Sequence, residues 1–158
     1  MVREMAMPEE SKAAQELFEY ALRVLNMRPY TESALRQKLA RRGPVEVVAR
    51  VVERVKALGF LDDRKYAEGY ARLYQGKWGA AKIRRSLEAK GVPRDIVSEV
   101  LAALEPQSDP VAEALALLER YQSRHKGDKA KAIRFLANRG FSFAAALEAW
   151  ERYEAGGR

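Results

Sequence analysis

Apolar residues recur every three or four positions through most of the chain, the spacing that lines one face of an α-helix. Leu17, Phe18, Ala21, Leu22 and Leu25 form such a stripe between residues 9 and about 27. Tyr66, Tyr70 and Tyr74 do the same from Asp63 to about Gln75, and Ala114, Leu115, Leu118 and Tyr121 from Pro110 to about Arg124. The segments Val45–Leu58, Arg94–Leu104 and Phe143–Tyr153 read as helices too. Val48, Val51, Val52 and Val55 line the first of these, and Ile96, Val100, Ala103 and Leu104 the second. The β-branched run VEVVARVVERV has strand propensity, but its apolar period is that of a helix, and so is that of IVSEVLAAL further on.

Between these segments one phrase is written three times: LRQKLARRG at 35–43, IRRSLEAKG at 83–91 and AIRFLANRG at 132–140. Counting back from Gly43, Gly91 and Gly140, the fourth position holds Leu39, Leu87 and Leu136. The first holds Arg42, Lys90 and Arg139, and the twelfth Thr31, Gly79 and Asp128. The last three are acceptable N-caps, and a glycine suits a helix stop because it enters the left-handed region without strain. Tyr30 with Leu35, and Trp78 with Ile83, have the spacing of a hydrophobic staple; Gly127 with Ala132 does not. A repeat of this length, carrying a capped central helix between two others, predicts an all-α fold. We expect three tandem three-helix repeats at 9–61, 62–105 and 106–154, in an elongated, solenoid-like arrangement. Asp62 and Asp109 are expected to cap the first helices of the second and third repeats, with Pro110 at the first helical position. Residues 1–8 and 155–158 are expected to fray.

The formal charge is +7, with residues 11–60 carrying +5 of it and Arg outnumbering Lys 19 to 10. Such a surface attracts polyanions or acidic proteins over a range set by salt. There is no cysteine, which excludes disulfides and thiolate metal sites and fits a cytoplasmic protein. No apolar run reaches bilayer-spanning length, and MVREMAMPEESKAAQ lacks the apolar centre of a secretory signal.

No catalytic constellation is legible. Asp62 and Asp63 are adjacent, so on a helix their carboxylates diverge by about 100°. His125, in SRHKGDK, has no partner at ligand or triad spacing and reads as a solvent-exposed residue. QGKWGAAK lacks the spacing of a phosphate-binding loop. Neither a metal nor a cofactor is expected. Arg42, Lys90 and Arg139 fall at the core edge in a last helical turn, where the helix dipole favours a cation. Arg36, Arg41, Arg84 and Arg85 point away from the leucines and, with Lys38 and Lys82, read as a cationic surface or a merely solvated face. Trp78, Trp150 and the tyrosines are mainly core by spacing; Trp78, between Lys77 and Lys82, is retained as a contact. A sequence-reading helix-turn-helix is disfavoured, because the third helices are rich in valine, alanine or acids where base-contacting side chains are needed.

ALRVLNMRPYTESALRQKLARRG, ALGFLDDRKYAEGYARLY, KIRRSLEAKGV and IRFLANRGF, in this order and spacing, resemble RecX regulatory proteins. The resemblance covers about residues 17–150. It implies a non-enzymatic modulator of the RecA recombinase. Such a protein lies in the groove of the RecA–DNA filament and restrains strand exchange, ATP hydrolysis and co-protease activity. The partners implied are the RecA nucleoprotein filament and single- or double-stranded DNA, with no membrane; a monomer is expected. By family position Arg36, Lys38, Arg84, Arg85 and Lys90 lead the contact set, which also includes Arg41, Lys82 and Trp78. Leu39, Gly43, Asp62, Leu87, Gly91, Leu136, Arg139 and Gly140 form the structural motif. The third phrase departs by placing Phe135 where the others have Lys38 and Ser86, so it is expected to pack differently or bind less. The alternative is an autonomous, sequence-independent DNA-binding protein.

Overall fold

The structure, a computed structural model, describes residues 8–156. Among these, helices follow one another in the order α1 (Pro8–Met27), α2 (Glu32–Ala40), α3 (Val45–Ala57), α4 (Asp63–Tyr74), α5 (Ala80–Ala89) and α6 (Arg94–Leu104). A 3-10 turn at Glu105–Gln107 leads to α7 (Pro110–Arg120), α8 (Gln122–His125), α9 (Lys129–Asn138) and α10 (Phe143–Gly156). No strand forms among the described residues; one isolated bridge joins Gln75 and Trp78. The valine-rich segment is helix α3. The fraying expected of the termini lies largely outside the described residues, but Pro8 opens α1, and Ala155 and Gly156 close α10.

The chain sorts into two compact units. Of the described residues, the first holds 8–66 together with Lys90–Val92. Its core takes Leu17, Phe18, Ala21 and Val24 from α1, Leu35 and Leu39 from α2, five valines from α3, and Tyr30 and Leu61. Each valine loses a few tenths of a kcal/mol in helix propensity relative to alanine. Full burial of its side chain returns about 1.5 kcal/mol or more, so packing decides the conformation. Thr31 caps α2 by accepting the Ala34 N–H at 3.1 Å. Tyr30 and Leu35 are both buried, as staple residues should be.

Of the described residues, the second unit holds Ala67–Ala89 and 93–156. α5 packs on α6, and α10 packs on α7 and α9. A core cluster gathers Ala114, Leu117, Leu118, Ala132, Leu136, Phe141, Ala146, Ala149 and Trp150. The buried face of α6 is Val97 and Val100; Ile96 and Leu104 are half-buried and Ala103 is exposed, so the helix is rotated from its expected stripe. α4 buries Ala67 and Ala71, and its tyrosines are half-buried rather than core. The small residues are the covered ones, whereas spacing alone favoured the large ones.

His125 is not exposed: none of its surface reaches solvent. Its Nδ1 accepts the Gly127 N–H at 3.1 Å, so Nε2 carries the proton and donates to the Leu118 carbonyl at 2.9 Å. That carbonyl belongs to the last turn of α7, where helical partners run out. The ring edge meets Tyr153 and Trp150, with centroids 5.1 and 6.3 Å away. α8, capped at its C-terminal end by Lys126 with φ +53°, carries the imidazole inward.

Candidate polyanion-binding surface

In the first unit α2 presents Arg36, Lys38 and Arg41. Arg36 is half-buried and bonds Glu32 through Nε at 3.1 Å and a terminal nitrogen at 2.9 Å; it also lies 3.7 Å from Glu53. Lys56 of α3 closes the cluster, 3.1 Å from Glu32 and 3.6 Å from Glu53. Burial works to raise the Glu32 carboxyl, but the hydrogen bonds from Arg36 and Lys56 outweigh it and hold the group below its ordinary value. The same Glu32 bond raises Lys56. Asp63 accepts the Glu32 N–H at 2.9 Å, yet burial pushes its carboxyl up. Arg36 therefore belongs to an internal ion network. Lys38 and Arg41 are exposed and, among the described residues, pair with no carboxylate. Arg42 lies with its guanidinium 3.8 Å from the centre of the Tyr20 ring, in keeping with a core-edge position.

Lys90, on the same unit, is exposed, and its carbonyl accepts the Thr31 hydroxyl at 2.7 Å. Asp62, as expected, is a cap: it accepts the Lys65 N–H at 3.1 Å.

In the second unit α5 presents Lys82, Arg84 and Arg85. Arg85 is exposed and, among the described residues, pairs with no carboxylate. Arg84 is half-buried, bonds Ser98 Oγ at 3.0 Å and lies 3.8 Å from Glu88. Trp78 stacks on Tyr74 with centroids 3.9 Å apart and planes 11° apart, and Lys82 Nζ sits 4.4 Å from its ring centre. Tyr70 meets the Trp78 edge and shares a short hydrogen bond with Ser86. The indole is thus part of a partly exposed aromatic stack. Arg139 sits 4.8 Å from both the Tyr121 and Phe135 ring centres, and donates to the Lys77 carbonyl at 3.4 Å. Phe135 is therefore a platform for Arg139, which local spacing does not announce.

The buried motif residues Leu39, Leu87 and Leu136 are wholly covered. The glycines differ: Gly91 and Gly140 have φ of +91° and +95°, whereas Gly43 is not in the positive-φ region. No group of three His, Cys, Asp or Glu able to hold a metal ion occurs among the described residues, and no described helix is long and apolar enough to cross a membrane.

Tandem three-helix repeats with a cationic central helix define an all-α class of helical-repeat proteins. Sequence profiles described as "RecX, first three-helix domain" and "RecX, second three-helix domain" match residues 18–54 and 62–101. A Regulatory protein RecX from a strain of Thermus thermophilus is 47% identical over 136 residues, 85% of this chain and 90% of that protein. One from Deinococcus radiodurans is 35% identical over 84% of this chain and 65% of its own length. The chain belongs to the RecX family of regulatory proteins. Its fold is also that of a crystal structure of RecX from Lactobacillus salivarius, with TM-score 0.79 at 19% identity over 92% of this chain and 99% of that one.

Proposed function

We propose that this chain is a non-enzymatic modulator, and specifically a negative regulator, of the RecA recombinase. It binds in the groove of the RecA–DNA filament and restrains strand exchange, ATP hydrolysis and co-protease activity by occupancy. The observation that carries this reading is membership of a family of regulatory proteins across 85% of the chain. The exposed cations of the phrase helices support it. Lys38, Arg41 and Arg85 are the primary contacts, because among the described residues no carboxylate neutralises them. Lys90 accompanies Lys38 and Arg41 on the first unit, Lys82, Arg84 and Trp78 accompany Arg85 on the second, and Arg36 holds the network that shapes α2. Repeats at 9–61, 62–105 and 106–154 supply several weak contacts at once, so their joint occupancy exceeds that of any one. The protein acts as a monomer in the cytoplasm.

The test is RecA ATPase on single-stranded DNA, titrated with this protein at several salt concentrations. A progressive fall in the hydrolysis rate is expected. An unchanged rate at micromolar protein across all salts sinks the reading.

A further inference from the structure

The third phrase helix, α9, carries Lys129, Lys131 and Arg134 and no acidic residue. Beside it, Lys129, Ala130, Ile133 and Arg134 join Phe143 and Leu147 of α10 in lining an open groove. Its floor is apolar and its only charged lining residues are cations. Phe143, at the first position of α10, leaves 67% of its surface in water. The helix start does not require an aromatic there, since Ser142 Oγ already accepts the Ala145 N–H at 3.1 Å. The neighbouring carboxylates are engaged: Asp128 accepts the Lys131 N–H at 3.0 Å, and Glu148 pairs with Arg152 at 2.7 Å. Among the described residues Lys129 and Arg134 pair with neither, nor with any other carboxylate.

Cations over an apolar floor suit a ligand that has both carboxylates and an apolar side chain. A nucleic-acid backbone satisfies the cations but leaves the floor wet, whereas an acidic protein segment satisfies both. We propose that the α9–α10 groove docks an acidic segment of protein through an apolar anchor seated against Phe143, Ile133 and Leu147. Resting on the functional reading above, the segment belongs to the protein component of the filament.

The test compares fluorescently labelled full-length variants for binding to RecA–single-stranded DNA filaments and to naked oligo-dT. Phe143→Ser is expected to weaken filament binding about tenfold and to leave oligo-dT binding unchanged. Arg134→Glu is expected to weaken filament binding as well, with Arg134→Lys restoring most of it. Both side chains are exposed, and melting curves of the variants verify that the fold is retained. Equal losses on filament and oligo-dT for Phe143→Ser mean that a base stacks there and overturn the proposal. So does wild-type filament affinity in both Phe143→Ser and Arg134→Glu while Arg85→Glu still weakens binding, an outcome that leaves the functional reading standing. A wild-type chain that ignores the filament removes that reading and this inference together.

Discussion

The Thr31 hydroxyl donates to the Lys90 carbonyl across 2.7 Å and 59 residues of chain. Thr31 opens one phrase helix and Lys90 closes the next phrase. In the second unit the Gly79 N–H donates to the Arg139 carbonyl, also at 2.7 Å. Gly79 and Arg139 occupy the same two repeat positions, so the starts of the first two phrase helices each meet the end of the phrase that follows. Thr31 also caps its own helix, and Thr31→Val removes both roles. A loss of about 1–2 kcal/mol in urea unfolding is expected, with Thr31→Ser recovering most of it.

The three phrase-ending glycines are not equivalent. A Cβ on Gly91 would lie 2.3 Å from Ser33 Cβ, and one on Gly140 would lie 2.5 Å from Lys82 Cβ; both backbones have positive φ. A Cβ on Gly43 would make an ordinary 3.4 Å contact with Leu17 Cδ2. Gly91→Ala and Gly140→Ala should each cost about 2 kcal/mol or more, and Gly43→Ala should stay within about 1 kcal/mol of wild type. Thermal melts of the three variants rank them.

The carboxylates around α2 titrate in opposite senses. Glu32 has a lowered folded-state pKa, so its stabilisation is present above its unfolded value and fades as pH falls through the folded one. Asp63 has a raised folded-state pKa, so its favourable contribution is present below its unfolded value and is lost as pH rises through the folded one. At neutral pH, Glu32→Gln should lower the melting temperature, by about 1 kcal/mol or less in stability. Asp63→Asn keeps an acceptor for the Glu32 N–H and should be neutral or stabilising. Both differences should shrink on acidification through the carboxylate range, as melts at stepped pH would record.

Charge reversal separates binding cations from structural ones. Arg85→Glu should leave the melting temperature unchanged and weaken filament binding. If Arg85 meets a phosphate, the slope of log affinity against log salt falls by about 1. Arg36→Glu should lower the melting temperature, because it sets a third carboxylate beside Glu32 and Glu53. Anisotropy titrations and melts on the same preparations distinguish the two.

His125→Ala empties a buried site and strips the Leu118 carbonyl and the Gly127 N–H of their partner. A loss of about 2–4 kcal/mol is expected in denaturant unfolding. A surface histidine would have been nearly silent.

What the chain determined by itself is local. Apolar period, caps such as Thr31, Asp62, Asp109 and Asp128, and the leucines four residues before each phrase glycine place the helices, because each acts within one or two turns. They also place α3 as a helix despite its valines. The family phrases are legible for the same reason: they are short, contiguous and ordered. What only the tertiary structure decided depends on residues distant in sequence. Lys56 completes the ion network of Arg36, Asp63 reaches the first turn of α2, and Leu118 with Trp150 and Tyr153 makes a core position of His125. Whether an arginine is free to meet a polyanion is set by which carboxylate or ring the packed helices bring within about 4 Å, and a local pattern carries no information about that distance.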